Sequence, residues 1–303
     1  MVKRLIFAKL AQTKNIWLGI IAATTVYVIY GLNVVFCKDL FDTSLISPTV
    51  LFSLRTGGAC LLFWLLSACK PSERVTRKDF WLLMLASALC IVIPQYSTLI
   101  GLTMSTPYDA SLVATLKPVF TLSIAFALGR ERFRWSLLVG VLLIFAGSLA
   151  LVLKPTGAHF STTPQGLVIL LLNGISFSFY LVLFREFISR YSTVTLMKWM
   201  FLFAFLVSLL FSAREFPQTQ FAAFSSLMLS ELAFLIVMAT FLTYFLMPVG
   251  QRNLSSTQYS LFCYVQCIVA ALAGTAFGVE SMDAQKLLAS VLFIAGVVVV
   301  RRS

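Results

Sequence analysis

The residues of this chain that are best suited to bind a ligand or transfer a proton are basic side chains inside long apolar segments. Lys117 and Pro118 lie in the middle of the apolar run 108–128, and Arg55 lies within the run 47–69. A charge at that depth in a membrane needs an anion, a carbonyl group or water as a partner, so each is a candidate site. Arg55 could hold a carboxylate or phosphate through two hydrogen bonds, or it could pin helix ends. Lys117 could anchor an anion, exchange a coupling proton, or bind a carbonyl group freed by Pro118.

A third basic residue, Lys198, lies about 8 Å from the end of its apolar segment at the helical rise of 1.5 Å per residue. Its long side chain can reach the headgroup region, and both a structural and a functional role stay open. No Asp or Glu is expected deep in a segment, and Asp109, at the start of one, comes nearest. Basic groups without deep acids favour an anionic or zwitterionic ligand.

Uncharged polar side chains accompany the basic ones. Tyr30 and Asn33, three residues apart, lie on the same face of a helix. Gln258 and Gln266, two turns apart, lie on roughly the same face of another helix. Such amides and phenols line a wet cavity and orient a ligand, or they hydrogen-bond between helices. The candidate substrate-binding residues are Arg55, Lys117, Tyr30, Asn33, Gln95, Tyr96, Asn173, Tyr180, Tyr244, Gln258, Tyr264 and Gln266. The candidate gating residues are Pro94 and Pro118, because proline interrupts helical hydrogen bonding.

The composition predicts an all-α polytopic membrane protein. Hydrophobic residues make up 60% of the 303 and charged residues 11%, whereas soluble domains have about 45–50% and about 25%. At roughly 20 apolar residues per span, ten transmembrane helices are expected. Their ranges are 16–36, 47–69, 80–101, 108–128, 135–153, 165–185, 193–212, 231–250, 257–278 and 284–300.

The distribution of Lys and Arg predicts the orientation of these spans. Most of the 23 Lys and Arg residues fall in the N-terminal segment 1–15 and in alternate loops. The rule that cytoplasmic loops are positive then places both termini in the cytoplasm. The net charge of +12 is therefore a topology signal, and no nucleic acid is expected as a partner. The expected location is the plasma membrane, the inner membrane if the source is bacterial.

The two halves of the chain repeat at an offset of 149 residues. Gly129-x-Glu131 recurs as Gly278-x-Glu280, and Ala146-Gly147 recurs as Ala295-Gly296. Since each unit has an odd number of spans, the second must enter the membrane in the opposite orientation. The pattern predicts two inverted five-helix repeats, an architecture of secondary transporters with a site near the midplane. The units are 16–153 and 165–302, joined by the linker 154–164.

The chain resembles the drug/metabolite transporter superfamily in its ten-helix EamA-type form. The residues that carry the resemblance are Pro48, Arg55, Ala110, Ala114, Lys117-Pro118, Gly129-x-Glu131, Trp135, Gly140 and Gly147, with Gly278-x-Glu280 and Gly296 in the second half. Cys267 stands where the second repeat would carry its proline. The resemblance implies transport without ATP hydrolysis, by export or exchange of a small polar metabolite. An amino acid or organic anion is favoured.

Other functions and partners have little support in the sequence. His159 is the only histidine and the six cysteines lack metal-ligand spacing, so no metal, cofactor or enzymatic activity is expected. The expected partners are the lipid bilayer, the small-molecule substrate and a coupling proton, with the protein acting as a monomer or homodimer. The alternatives are an uncoupled facilitator, an importer, a membrane enzyme acting on lipids, or a receptor without transport.

Overall fold

The computed structural model describes residues 2–71, 73–130 and 163–277, with single helical residues at 135, 138–140, 142, 143, 146, 288, 291, 292 and 295. Nothing in these ranges forms a β-strand. The spans predicted at 135–153 and 284–300, the linker 154–164, and the Glu131 and Glu280 elements lie wholly or largely outside the described residues. The fold that follows is that of the remaining helices.

Twelve α-helices occur in the described part of the chain. They are α1 Val2–Asp42, α2 Pro48–Ala68, α3 Arg77–Ser87, α4 Ile93–Thr103, α5 Pro107–Ala114, α6 Lys117–Ala127, α7 Pro164–Leu183, α8 Thr193–Ser212, α9 Ser226–Ile236, α10 Thr243–Asn253, α11 Ser256–Leu261 and α12 Cys263–Ala276. A π-helical turn, Ala88–Val92, joins α3 to α4, and another, Val237–Leu242, joins α9 to α10.

Seven continuous stretches of the described residues are long and apolar enough to cross a membrane. They are Asn15–Asp42, Pro48–Ala68, Arg77–Thr103, Pro164–Leu183, Thr193–Ser212, Ser226–Asn253 and Ser256–Ala276. The predicted span 108–128 is instead two shorter helices, α5 and α6, because the chain turns at Thr115 and Leu116. The chain is therefore a multi-pass membrane protein.

Hydroxyl caps begin most of the long helices. Ser47, Thr76, Thr163, Ser192 and Ser225 each have extended backbone angles and accept a hydrogen bond from the backbone N–H three residues on. Such caps satisfy one of the donors that the first helical turn leaves unpaired. Short polar turns therefore suffice to reverse the chain between spans.

The helix boundaries recur at the 149-residue offset of the sequence pattern. Helix α3 begins at Arg77 and α9 at Ser226, while the π-helical turns begin at Ala88 and Val237. Helices α5 and α11, which each precede a break, begin at Pro107 and Ser256. Both halves therefore interrupt their third and fourth long helices at equivalent places.

The helices pack as an up-and-down bundle with two distinct ends. One end, which we name the basic end, carries the segment between α2 and α3, the loop 184–192 and the C-terminus of α10. The opposite end carries the contact between Thr49 and Glu215, and the hydrogen bond from the Thr163 N–H to the Met104 carbonyl. Helix α1 packs on α10 and α12, α2 on α8, and α4 on α7.

A polar network fastens the basic end. Glu73 accepts hydrogen bonds of 3.0 Å from both the N–H and the hydroxyl of Ser192. Asp79 accepts one of 2.6 Å from the hydroxyl of Tyr191, and Arg252 of α10 donates one of 2.7 Å to the Tyr191 carbonyl. We name these five residues the latch, because they tie loops from both halves of the chain together.

Candidate functional site

A small cavity lies in the interior of the bundle, between helices from both halves of the chain. Its volume is about 60 Å³, enough for a few water molecules. The lining residues are Tyr30, Asn33, Val34, Arg55, Cys90, Pro94, Gln95, Thr98, Lys117, Asn173, Phe177, Tyr244 and Gln266. We name this the central cavity. Eight of the twelve predicted substrate-binding residues and the predicted gating residue Pro94 meet there.

Arg55 reaches the central cavity from α2 and is held by two neutral side chains. Its Nε donates to the Thr240 hydroxyl at 2.9 Å, and its Nη1 donates to the Cys37 sulfur at 3.5 Å. The residue is 2% exposed. No described carboxylate pairs with it, so a buried guanidinium lines the cavity with its positive charge uncompensated.

Lys117 enters the cavity at the break between α5 and α6. Its side chain is buried, and its Nζ lies 5.3 Å from the centre of the Phe177 ring. Among the described residues, none forms a hydrogen bond or ion pair with this amine. A ring face stabilises a cation only modestly, so Lys117 keeps most of its capacity to bind an anion.

Other groups satisfy the carbonyls at the Lys117 break. The Thr115 carbonyl accepts a hydrogen bond of 3.1 Å from the Tyr264 hydroxyl, and the Lys117 carbonyl accepts from Thr121 and Ser178. The sequence left open that Lys117 itself would bind a carbonyl freed by Pro118. Neighbouring hydroxyls take that role, which leaves the lysine amine directed to the cavity.

Two buried amides contribute acceptors to the cavity. The Oε1 atoms of Gln95 and Gln266 have no hydrogen-bond partner in the described structure. An unpaired buried carbonyl oxygen is costly, and a ligand or water that donates a hydrogen bond would relieve that cost. A third amide, Asn173, is already engaged, because its Nδ2 donates to the Pro94 carbonyl at 2.8 Å and to Thr98.

Four lining residues form two pairs at the 149-residue offset. Lys117 corresponds to Gln266, and Gln95 corresponds to Tyr244. Gln95 and Tyr244 both follow the π-helical turn of their half, and the Tyr244 hydroxyl donates to the Cys90 carbonyl at 3.2 Å. Equivalent positions of the two halves thus face the same cavity with different side chains. Lys117 of the first half is positively charged, and Gln266 of the second half is neutral.

Both predicted gating prolines begin a helical segment. Pro94 is the second residue of α4, directly after the first π-helical turn, and Pro118 is the second residue of α6. Pro118 lies in the first turn after the break, where N–H groups have no intrahelical partner, whereas Pro94 follows the π-helical turn within the continuous stretch Arg77–Thr103. The prolines therefore mark interruptions of the two long helices next to the cavity.

Four predicted binding residues lie away from the cavity. Tyr96 stacks on Phe211, with ring centres 4.8 Å apart, and the Tyr180 hydroxyl bonds to the Gln251 Oε1 at 3.3 Å. Tyr264 is engaged with Thr115, as described above. Gln258 is exposed in the first turn of α11, where it forms a capping box with Ser255.

Several contributing residues were missed by the sequence reasoning. Cys90, Thr98 and Phe177 line the cavity, and Thr240 orients Arg55. Phe177 is four residues after Asn173, and Thr98 is three after Gln95, so shared helix faces would have found both. The π-helical turns that place Cys90 and Thr240 leave no such pattern in the sequence.

Two other buried charged residues, Lys198 and Glu231, do not line the central cavity. The Lys198 Nζ donates to the Ser67 hydroxyl at 2.9 Å and lies over Trp64 and Trp199, near the basic end. Glu231 is 7% exposed although we expected no acid deep in a span. The difference arises because α9 begins at Ser226, five residues before the predicted start. Glu231 does not line the central cavity.

Known proteins share this sequence pattern and fold. The model of the EamA-like transporter family matches residues 17–153 and again residues 164–302. A crystal structure, described only as that of a protein, matches with a TM-score of 0.70 and 17% identity over 92% of this chain and 98% of the other. At that identity the likeness shows the fold alone. No match was found among proteins of curated function.

Proposed function

The chain belongs to the EamA-like transporter family, and on that premise we propose what its central cavity does. The protein is a secondary transporter of the plasma membrane that exports or exchanges a small polar metabolite, an amino acid or an organic anion. Its two five-helix halves have opposite orientations in the membrane, and both termini are cytoplasmic. The substrate binds in the central cavity, between the halves.

One observation supports the proposed class of substrate. Arg55 and Lys117 both line the central cavity, and no described Asp or Glu does. Two buried positive charges without a negative partner raise the free energy of the empty site, and a bound anion lowers it. A transporter of cations would instead need a carboxylate on this wall.

The uncharged wall favours a zwitterion within this class. The unpaired Oε1 atoms of Gln95 and Gln266 can accept hydrogen bonds from an ammonium group. Arg55 and Lys117 can bind the carboxylate of the same molecule. The site then satisfies both charges of an amino acid, whereas a simple organic anion would leave the amide oxygens to water.

The size and closure of the cavity support alternating access. A volume of about 60 Å³ is well below the roughly 300–1,000 Å³ of ordinary ligand pockets, so the substrate enters only when helices move apart. We assign Tyr27, Tyr180 and Tyr259, all fully buried, to the closed side of the cavity toward the basic end. The latch lies beyond them. We assign the basic end to the cytoplasm and the helix interruptions at Pro94 and Pro118 to gating.

Binding to the purified protein tests the substrate class. A thermal-shift screen compares amino acids, organic anions and organic cations, because a ligand that binds only the folded state raises its apparent stability. We expect shifts with zwitterions or anions that disappear in Arg55→Gln and Lys117→Gln and persist in Lys198→Gln. Shifts with cations alone, or shifts unaffected by either cavity variant, would refute the assignment.

Proton coupling through Lys117 is tested separately. Transport into proteoliposomes is measured with and without a pH gradient across the membrane. We expect the gradient to change the rate in the wild-type protein and to have no effect on the residual transport by Lys117→Gln. Residual transport that keeps the same relative response to the gradient would exclude Lys117 as the coupling residue and would leave the substrate class standing.

A further inference from the structure

A second and larger cavity lies between α1 and α9, away from Arg55 and Lys117. Its volume is about 430 Å³, which is within the range of small-molecule pockets. The residues that line it are Val35, Phe36, Asp39, Leu227, Ser230, Glu231, Phe234 and Phe277. We name it the acidic cavity, because its charged groups are two carboxylates.

The two carboxylates have no basic partner. Asp39 and Glu231 interact directly with each other, and neither forms an ion pair with a described Lys or Arg. The Oε2 atom of Glu231 is buried and accepts no hydrogen bond in the described structure. Two adjacent acids repel each other when both are ionised, so a cation bound beside them is stabilised by both. The neighbouring Lys38 is engaged with Asp42, at 3.1 Å.

Apart from Ser230, the rest of the wall is aromatic and aliphatic. Phe36 packs edge-on against Phe234, with ring centres 5.0 Å apart, and against Phe277 at 5.6 Å. Ring faces attract organic ammonium ions, whose positive charge is spread over apolar substituents. A small inorganic cation needs more oxygen ligands than two carboxyl groups supply. Among the described residues no cluster of three potential metal ligands occurs.

We propose that the acidic cavity binds an ammonium group with apolar substituents, held by Asp39 and Glu231 and packed against the three phenylalanines. This site is distinct from the central cavity and has the opposite charge preference. The same chemistry is offered by a dissolved organic amine and by the amine of a lipid headgroup, because α1 and α9 both lie in the membrane.

Calorimetric titration with benzyltrimethylammonium tests the site in the full chain, purified in a non-ionic detergent. We expect saturable binding to the wild-type protein. Glu231→Gln and Asp39→Asn should each weaken it about 10-fold or more, as expected for loss of a charge-assisted contact. Glu186→Gln is the control, since Glu186 is exposed in the loop 184–192, outside the cavity, and its loss leaves the Lys38–Asp42 pair intact. Phe234→Leu keeps both acids and should weaken binding of the ammonium ion more than binding of its neutral carbon analogue.

Three outcomes would overturn the proposal: no saturable binding, equal affinity for the neutral carbon analogue, or wild-type affinity in both acid variants. Lys117→Gln should bind the ammonium ion like the wild type, so failure here is separate from failure of the central site. Titration in phosphatidylglycerol nanodiscs with and without phosphatidylethanolamine identifies the source. Competition by the second lipid indicates a headgroup, and its absence indicates a dissolved amine.

Discussion

The Tyr264 hydroxyl, in the second half of the chain, donates a hydrogen bond of 3.1 Å to the Thr115 carbonyl in the first half. Thr115 lies at the break between α5 and α6, two residues before Lys117. The bond satisfies a backbone group that the break removes from the helix ladder, and it does so from across the repeat interface. Tyr264 is therefore a positioning residue for Lys117 even though its side chain is outside the central cavity.

Removing that hydroxyl should cost stability. Tyr264→Phe removes one donor from the Thr115 carbonyl, so we expect a loss of about 1–3 kcal/mol in the free energy of unfolding. Tyr259→Phe is the matched control, because the Tyr259 hydroxyl is buried and has no hydrogen-bond partner among the described residues. Thermal unfolding in detergent measures both. Equal losses in the two variants would show that the hydroxyl of Tyr264 has no special role.

The geometry of Arg55 should matter beyond its charge. Arg55→Lys keeps a positive charge but loses the planar group that Thr240 and Cys37 orient, so substrate affinity should fall about 10-fold. Thr240→Val should also weaken binding, since it removes the bond to Nε. Ser53→Ala is the control, because Ser53 is buried on the same helix and bonds to Ser212 instead. Wild-type affinity in Arg55→Lys would mean that charge alone suffices.

The closest approach of α1 to α12 depends on Gly31. A Cβ atom there would lie 2.6 Å from the Val269 Cβ and 2.9 Å from the Gln266 carbonyl oxygen. Gly31→Ala should therefore destabilise the protein by about 1–3 kcal/mol and displace Gln266 from the cavity. For Gly129→Ala, where nothing in the described structure lies within 4 Å, we expect only the backbone cost of its positive φ, about 1 kcal/mol. Thermal unfolding ranks the two, and a milder effect at Gly31 would contradict the packing.

The latch should weaken in acid. The hydroxyl of Thr195, with the N–H and hydroxyl of Ser192, holds the pKa of Glu73 below its ordinary value of 4.5. A lowered pKa means that the contact stabilises the folded protein above pH 4.5 and that this is lost as the pH falls through the lower value.

Hydrogen exchange at the Ser192 amide, corrected for the intrinsic effect of pH, measures the latch contact. Protection should fall in acid in the wild-type protein. In Glu73→Gln it should be lower at neutral pH and should change less with pH. Strong protection that persists in the variant would show that Glu73 does not hold the loop.

Much of this arrangement follows from the sequence alone. The 149-residue offset anticipated the recurrent helix boundaries, and the search for polar groups in apolar segments found Arg55, Lys117, Gln95 and Gln266. The predictions for these four residues agree with the cavity lining because a polar group inside a membrane needs a polar partner, so such groups cluster together. The family assignment is confirmed by the match of both halves.

The other features of the site depend on side-chain direction and on where each helix begins, which the identity of a single residue does not determine. Tyr96 and Gln95 are adjacent, yet only Gln95 faces the cavity, because successive helical residues point in different directions. Gln258 was expected to share a face with Gln266, yet it lies in the first turn of α11 and caps that helix with Ser255. Glu231 was overlooked because α9 starts before its most apolar stretch. The π-helical turns shift the face of every later residue and have no composition signature.

Transport by reconstituted protein tests the central claim most directly. Uptake of labelled amino acids, organic anions and organic cations into proteoliposomes is compared for the wild type, Lys117→Gln and the control Lys198→Gln. We predict saturable transport of a zwitterion or anion that falls about 10-fold or more in Lys117→Gln and is unchanged in Lys198→Gln. Transport of cations only, or equal transport by all three proteins, would contradict the assignment of the central cavity as the substrate site.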